Sequence, residues 1–234
     1  NLLVSDKGYQ GVVIQLWKNM SDIEVDAHVI RAKAGALLSK IAVVALDNSL
    51  AGFAFASGIP GTLGGAVVMN AGAYGGEMKD VLEEVTVMDA EGNVICLKRD
   101  ELNLGYRTSI VKEKGYIVLE AVIRLKKGEA SHIKEQMDDF KERRTSKQPL
   151  DMPSAGSTFK RPEGYFAGKL IMDTGLRGFR VGGAQISEKH CGFVVNTGDA
   201  TAEDVKNLIE EVQKRVREKF GVTLEPEVKF LGEF

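Results

Sequence analysis

Residues 57–76 read SGIPGTLGGAVVMNAGAYGG, and seven of the twenty are glycine: Gly58, Gly61, Gly64, Gly65, Gly72, Gly75 and Gly76. Glycine lets backbone N–H groups come close to a ligand and adopts positive φ without steric penalty. Successive N–H groups in such turns form concavities that hold anions, so the stretch suits a diphosphate. The competing reading is structural, because glycine also marks bulges and places where backbones pack closely.

On either side the pattern alternates between short apolar strands and helices. Residues 11–16 (GVVIQL) and 25–33 (VDAHVIRAK) are expected to be strands. Residues 35–50 are expected to be a helix, with Leu37, Leu38, Ile41, Ala45 and Leu46 at helical spacing and Asp47-Asn48 as its stop. Strands are expected over 81–88 and 93–97, joined by an Asp89-Ala-Glu-Gly92 turn, and again over the β-branched run 117–125. Residues 130–147 form a charged helix with Ile133, Met137, Phe140 and Arg144 on one face, read as a solvated packing helix and ended by Pro149 and Pro153.

Beyond it lie a small-residue loop (154–164), a short helix (167–174) and strands near 183–187 and 192–196. A long helix follows, capped by Thr201 with Asp204 three residues on, striped by Val205, Leu208, Ile209, Val212 and Val216, and ended by Gly221. Residues 225–230 make a final strand. The chain thus reads as β-rich to about Leu125 and α+β afterwards, with the change of character at 126–131.

Composition excludes several classes. The 234 residues are 44% hydrophobic and 27% charged with a formal net charge of −2, which gives no general pull toward nucleic acid or anionic membrane. No apolar run approaches the ~20 residues of a membrane span, and the opening residues lack the basic region of a secretory signal. Cys96 and Cys191 stand far apart, and His28, His132 and His190 are scattered, so no disulfide framework or metal site is expected. A cytoplasmic, metal-free protein is the expectation.

Three polar residues sit in unusual settings. Arg107 lies in a Gly-Tyr-Arg-Thr-Ser run between strands; alone it reads as a surface arginine stacked on Tyr106. Ser157 lies in Ala-Gly-Ser-Thr-Phe, where small neighbours leave its hydroxyl approachable, although a lone serine is more often a loop cap. GSTFK lacks the G-x-S-x-G spacing, which argues against acyl transfer. Glu227 alternates with Glu225 and Lys229, so a solvated strand face competes with a functional carboxylate. The basic residues Lys160, Arg161, Lys169, Arg177, Arg180 and Lys189 concentrate in the second half and suit a polyanionic small ligand. His190 and Cys191 are read as packing residues.

Together these blocks resemble the UDP-N-acetylenolpyruvoylglucosamine reductase family of peptidoglycan-precursor synthesis. GIPGTLGGA at 58–66 and NAGAYG at 70–75 are similar to its second flavin-binding segment, and NLLVSD at 1–6 to the end of its first flavin loop. GYRTS at 105–109, AGSTFKRP at 155–162, GGAQISEKH at 182–190 and LEPEVK at 224–229 match further blocks in order. The fold so implied is α+β: an FAD-binding domain of the FAD-linked oxidase (PCMH) type over 1–126, an α+β substrate-binding domain over 127–226, and a strand at 227–234 returning toward the FAD domain.

The resemblance implies FAD and NADPH as cofactors and UDP-N-acetylglucosamine enolpyruvate as substrate. Ser157 would donate a proton to C2, and Arg107 and Glu227 would assist the enol intermediate. Asn1, Leu2, Leu3, Ser57, Gly58, Ile59, Pro60, Gly61, Thr62, Gly64 and Gly65 would contact FAD, and Asn70, Lys160, Gln185 and Lys189 the substrate. The pattern is that of the shorter, type II branch. Two alternatives stand beside it: another FAD-linked oxidoreductase of the same superfamily, or an inactive fragment that only binds the UDP-sugar. Family members carry further residues before the segment matching Asn1, so the FAD domain is expected to be incomplete at its N-terminal lobe and to hold FAD weakly or not at all. A full flavin spectrum at stoichiometric occupancy would overturn that expectation.

Overall fold

A computed structural model describes residues 1–234. The chain divides into two compact units, one formed by Ile14–Arg144 and the other by Asn1–Val13 together with Thr145–Phe234.

The Ile14–Arg144 unit is built on an antiparallel five-stranded sheet, in the order Ile23–Asp26, Val29–Lys33, Ile117–Arg124, Leu82–Met88, Val94–Lys98. Alternation along these strands sends Ile30, Ala32, Val85, Val87, Ala121 and Ile123 into one core. Helix α1 (Leu38–Asp47) covers it with Leu38, Ile41, Ala42 and Ala45, and helix α2 (Leu63–Val68) with Leu63, Ala66 and Val67. Helix α3 (Ile110–Lys114) is a single capped turn before the central strand. The Asp89 turn forms as expected: its carboxylate accepts the Glu91 and Asn93 N–H groups at 3.0 and 2.8 Å, and Gly92 supplies a φ of 87°.

Helix α4 (Ala130–Lys147) begins after the compositional change at Lys126, yet as far as Arg144 it belongs to this unit. Ile133 is buried, and Met137 and Phe140 pack against the same core. Apolar burial outweighs the charge pattern here: the polar residues take the outer face, with Arg143 paired to Asp139 at 2.8 Å.

Residues 11–16 form no strand. Val12, Val13 and Ile14 are 85, 71 and 80% exposed, and only Leu16 packs against the core. β-branched composition favours a strand only where a neighbouring strand completes the ladder, and none runs beside this segment.

The second unit holds a four-stranded antiparallel sheet, in the order Ser154–Ser157, Phe193–Asn196, Ala184–Ile186, Arg180–Val181. Helices α5 (Ala167–Asp173) and α6 (Ala202–Phe220) cover it, and Leu170, Ile171, Ile186, Leu208, Ile209, Val212 and Val216 form its core. The ends of α6 are as read: Thr201 and Asp204 make a reciprocal capping box, and Gly221 closes the helix with φ 69°. Ala202 N–H also donates to Asp6 at 2.8 Å, so the first residues of the chain tie into the same cap. Leu2–Val4 pairs in parallel with Lys229–Leu231.

The outer face of the five-stranded sheet carries a three-residue charge cluster. Glu120 accepts from Arg31 at 2.8 Å and Lys33 at 2.6 Å. Burial alone would raise its carboxyl pKa, but the bonds to Lys33 and Arg31 outweigh burial and hold it below the ordinary value of 4.5. A folded-state pKa below the unfolded one gives stability that is present above the unfolded value and lost as pH falls through the folded value. Glu120→Gln is therefore expected to cost about 1 kcal/mol at about pH 7, held to that size by solvent screening of the half-exposed Arg31 and Lys33. The gap between wild type and variant in urea unfolding should close as pH falls below 4.5; a constant gap would refute the assignment.

Candidate functional site

In the Ile14–Arg144 unit the glycine-rich stretch is bonded through its backbone to the segment that leaves the inner strand Val29–Lys33. Leu38 N–H donates to Gly61 O at 3.1 Å, Leu63 N–H to Ala36 O at 2.9 Å and Gly64 N–H to Ala34 O at 2.8 Å. Upstream, Ser57 closes a turn by donating both its N–H and its hydroxyl to Ala54 O, at 3.1 and 2.8 Å.

The glycines divide into two groups. A Cβ on Gly64 would lie 3.1 Å from Ala34 Cβ, one on Gly72 2.7 Å from both Glu77 Cβ and Gly76 O, and one on Gly76 2.8 Å from the Phe55 ring. These are close-packing positions. At Gly61, Gly65 and Gly75 a Cβ would meet nothing within 4 Å, and Gly61 has φ 138°. So both readings of the stretch apply, to different glycines. The uncovered backbone at Gly61 and Gly65 is the surface a phosphate-bearing cofactor needs, and the residues present fit FAD.

Asn70 lies within this stretch, two residues past α2. Its side chain is 1% exposed, sits at φ 42°, and spends every polar atom internally. Nδ2 donates to Glu77 Oε2 at 2.7 Å and to Gly105 O at 3.1 Å, while Oδ1 accepts Lys79 N–H at 2.9 Å. Ser109, fully buried, donates its hydroxyl to Val68 O at 2.8 Å and accepts Lys112 N–H at 3.2 Å to cap α3. These two side chains fasten the C-terminal end of α2 and the residues just past it to both ends of the Gly105–Ser109 turn.

Arg107 occupies that turn. Gly105 and Thr108 exchange N–H···O bonds of 3.1 and 3.3 Å, which puts Tyr106 and Arg107 at the tip. Arg107 has φ 56°, uncommon for a non-glycine residue. Its guanidinium lies 5.2 Å from the Tyr106 ring centre, and its carbonyl accepts from Lys112 Nζ at 3.0 Å. The stacking read from sequence is present, but on a strained backbone that a surface arginine does not need.

In the second unit Ser157 ends a strand whose register shifts between Ser154 and Ser157. Gly156 makes the bulge at φ 79°, with Asn1 Nδ2 3.0 Å from the position of its missing Cβ. Thr158 is buried, its hydroxyl accepting Val194 N–H at 3.0 Å, whereas Ser157 is exposed. A bulge of this kind re-aims one side chain out of the sheet. Phe159 pairs with Pro226, flanked by Lys160 N–H to Glu225 O and Glu227 N–H to Thr158 O, each 2.8 Å. Half-buried Glu227 is thereby registered against Thr158, one residue from Ser157. Glu225, by contrast, is exposed and paired with Lys160 at 2.7 Å, and that bond holds its carboxyl below the ordinary range.

The remaining candidates are engaged within the unit. Gln185 is 7% exposed, donating to Gly178 O at 3.1 Å and accepting from Arg180 at 3.2 Å. Lys189 Nζ donates to Thr145 O at 2.8 Å. Asn1 accepts Lys229 N–H at 2.9 Å, and Leu2 and Leu3 lie in the parallel pair with Lys229 and Phe230. The basic residues form no common anion cage, each having its own local partner: Lys169 bonds Asp173 at 2.8 Å, Arg177 the Glu188 carbonyl at 2.9 Å, and Arg161 stacks 3.9 Å from the Phe166 ring centre. His190 Nδ1 accepts Gly192 N–H at 3.0 Å, and burial holds the ring's pKa below its usual value. Cys191 sits in the core, where burial pushes its thiol up. The fastening roles of Ser109 and Asn70 were not read from sequence, because their partners Val68 and Gly105 lie 41 and 35 residues away.

Comparison with known proteins identifies the family. The model of an FAD binding domain matches residues 1–98, and that of the UDP-N-acetylenolpyruvoylglucosamine reductase C-terminal domain matches 148–231. The chain is 59% identical to the UDP-N-acetylenolpyruvoylglucosamine reductases of Agathobacter rectalis and Caldanaerobacter subterraneus, all of it aligning with 78% and 77% of their lengths. The crystal structure of the reductase (MurB) from Thermus caldophilus superposes with a TM-score of 0.84 at 38% identity, over 99% of this chain and 82% of that one. The whole of this chain thus aligns with named reductases at 59% identity, and the chain belongs to the UDP-N-acetylenolpyruvoylglucosamine reductase family.

Proposed function

We infer that the chain is an NADPH-dependent flavoprotein oxidoreductase that reduces UDP-N-acetylglucosamine enolpyruvate to UDP-N-acetylmuramate, a step of peptidoglycan-precursor synthesis. The observation that carries this reading is 59% identity to named reductases along the entire chain. When bound, FAD would supply the redox chemistry, the transfer of hydride from NADPH to C3 of the enolpyruvyl group. Its contacts are assigned to Ser57–Thr62, Gly64 and Gly65, with the open backbone at Gly61 and Gly65 as the supporting feature, and to Asn1, Leu2 and Leu3.

Each chemical role follows from what the residue can do. Hydride addition at C3 drives negative charge through C2 onto the carboxylate. A guanidinium on a fixed backbone stabilises that charge without reorganising, which is the task assigned to Arg107. Ser157 is assigned the proton transfer to C2, completing the saturated lactyl ether. A hydroxyl is a weak acid, so it needs the charge it quenches as driving force. Glu227, registered beside Thr158, is assigned to assist the enol intermediate. Lys160, Gln185 and Lys189 are proposed to contact the UDP-sugar. Asn70, with all its polar atoms spent internally, serves the substrate by fixing the Arg107 turn.

No helix is long and apolar enough to cross a membrane. A cytoplasmic setting belongs to the same proposal.

The direct test follows NADPH oxidation with and without the enolpyruvyl UDP-sugar; no substrate-dependent oxidation would refute the reading. Ser157→Ala is expected to leave NADPH-dependent flavin bleaching intact while slowing substrate-dependent reoxidation by ~10²–10⁴. Equal loss in both half-reactions would remove Ser157 from the proton-donor role. Arg107→Gly separates strain from chemistry. Glycine relieves the left-handed backbone, a gain of about 1 kcal/mol that roughly offsets the lost stacking on Tyr106. The melting temperature should therefore hold while kcat/KM falls by ~10²–10³. Unchanged kcat/KM would leave Arg107 a structural residue.

A further inference from the structure

Helix α4 carries one residue that its pattern does not explain. Ile133, Met137, Phe140 and Arg144 follow each other at spacings of four, three and four, which places them on one face. The first three are spent on the core. The fourth position of this apolar stripe is a guanidinium. Arg143, one residue earlier, turns to the outer face and pairs with Asp139 at 2.8 Å.

The stripe leads along the glycine-rich stretch. Phe140 stacks flat on Tyr74, with ring centres 4.5 Å apart and planes 8° from parallel. One turn further, Arg144 lies against Gly58: the position of a Gly58 Cβ is 3.0 Å from Arg144 Nε, 3.5 Å from Cδ and 3.9 Å from Cζ. The missing side chain of Gly58 is what lets the guanidinium lie on the loop backbone. Arg144 is half-buried rather than extended into solvent. Its planar, permanently charged group is held by a core-anchored helix beside the segment assigned to the cofactor.

We propose that Arg144 is a cofactor-contacting residue, its guanidinium placed on Gly58 to meet negative charge on bound FAD. This inference rests on the flavoenzyme reading. Two parts of the cofactor carry such charge: the diphosphate, in both redox states, and the isoalloxazine ring once reduced. A guanidinium beside the diphosphate strengthens binding of both states equally. Beside the ring it favours the reduced state and raises the reduction potential.

The test compares wild type, Arg144→Gln, Arg144→Lys, Gly58→Ala and the control Arg143→Gln. The measurements are FAD affinity by fluorescence quenching, the two-electron midpoint potential, and far-UV circular dichroism to confirm folding. If the diphosphate is the partner, Arg144→Gln weakens FAD binding about tenfold or more with the potential unchanged, and riboflavin binding is unaffected. If the ring is the partner, the potential falls by about 30 mV for each tenfold loss of preference for the reduced form. Gly58→Ala, which displaces the guanidinium, should reproduce the effect in part, Arg144→Lys should fall between wild type and Gln, and Arg143→Gln should change nothing. Folded Arg144→Gln with wild-type affinity and potential overturns the proposal, as does an equal effect of Arg143→Gln. A wild-type chain that binds no FAD would overturn Arg144 as a contact of this chain and bear out the incomplete FAD domain expected from the sequence, leaving the family assignment in place.

Discussion

The approach of Gly64 to Ala34 is the constraint on which the Ile14–Arg144 unit depends. The Gly64 N–H donates to Ala34 O at 2.8 Å, leaving 3.1 Å between Ala34 Cβ and the place a Gly64 Cβ would occupy. That closeness lets the start of α2 dock on the end of an inner strand, with Leu63 N–H on Ala36 O as the second tie. Leu63, Ala66 and Val67 then reach the core, and the backbone at Gly61 and Gly65 stays bare. A larger residue at 64 would lift α2 off the sheet and take the bare backbone with it.

From that anchor, position passes outward through side-chain amides and hydroxyls rather than through more apolar packing. Asn70 and Ser109 both lie deep in the fold, and their bonds carry α2's placement to the turn bearing Arg107. Buried polar groups that find all their partners fix geometry more exactly than apolar contacts, because each bond has a direction. The second unit uses a different device for Ser157: a glycine bulge beside a buried threonine that does the bonding, so the exposed serine is spared it.

Much of this was legible in the residues, and what was not has identifiable causes. The α6 cap, its apolar stripe and its terminal glycine could be read because they are local and their chemistry is specific. The same holds for the Asp89 turn. Residues 11–16 misled because β-branched composition predicts a strand only where a partner strand exists, and partnership is not local. Glycine content marked the 57–76 stretch, but which glycines pack and which stay open depends on Ala34, Glu77 and Phe55, and composition says nothing about those neighbours. Arg144 was visible at an apolar position of a helical stripe, yet its partner Gly58 lies 86 residues away in sequence.

The parallel pairing of Leu2–Val4 with Lys229–Leu231 has a consequence in time as well as in space. Its two strands are separated by the whole Ile14–Arg144 unit, which is itself continuous. During synthesis the continuous unit can collapse as soon as Arg144 has emerged. Residues 1–13 must wait for their partners, which at about 5–20 residues per second means roughly 10–45 s. Throughout that interval Leu2, Leu3 and Val4 present an unpaired apolar edge, and the bond from Ala202 to Asp6 forms only once α6 exists. Until Lys229–Leu231 has been made, the Leu2–Val4 strand therefore has no partner along its edge.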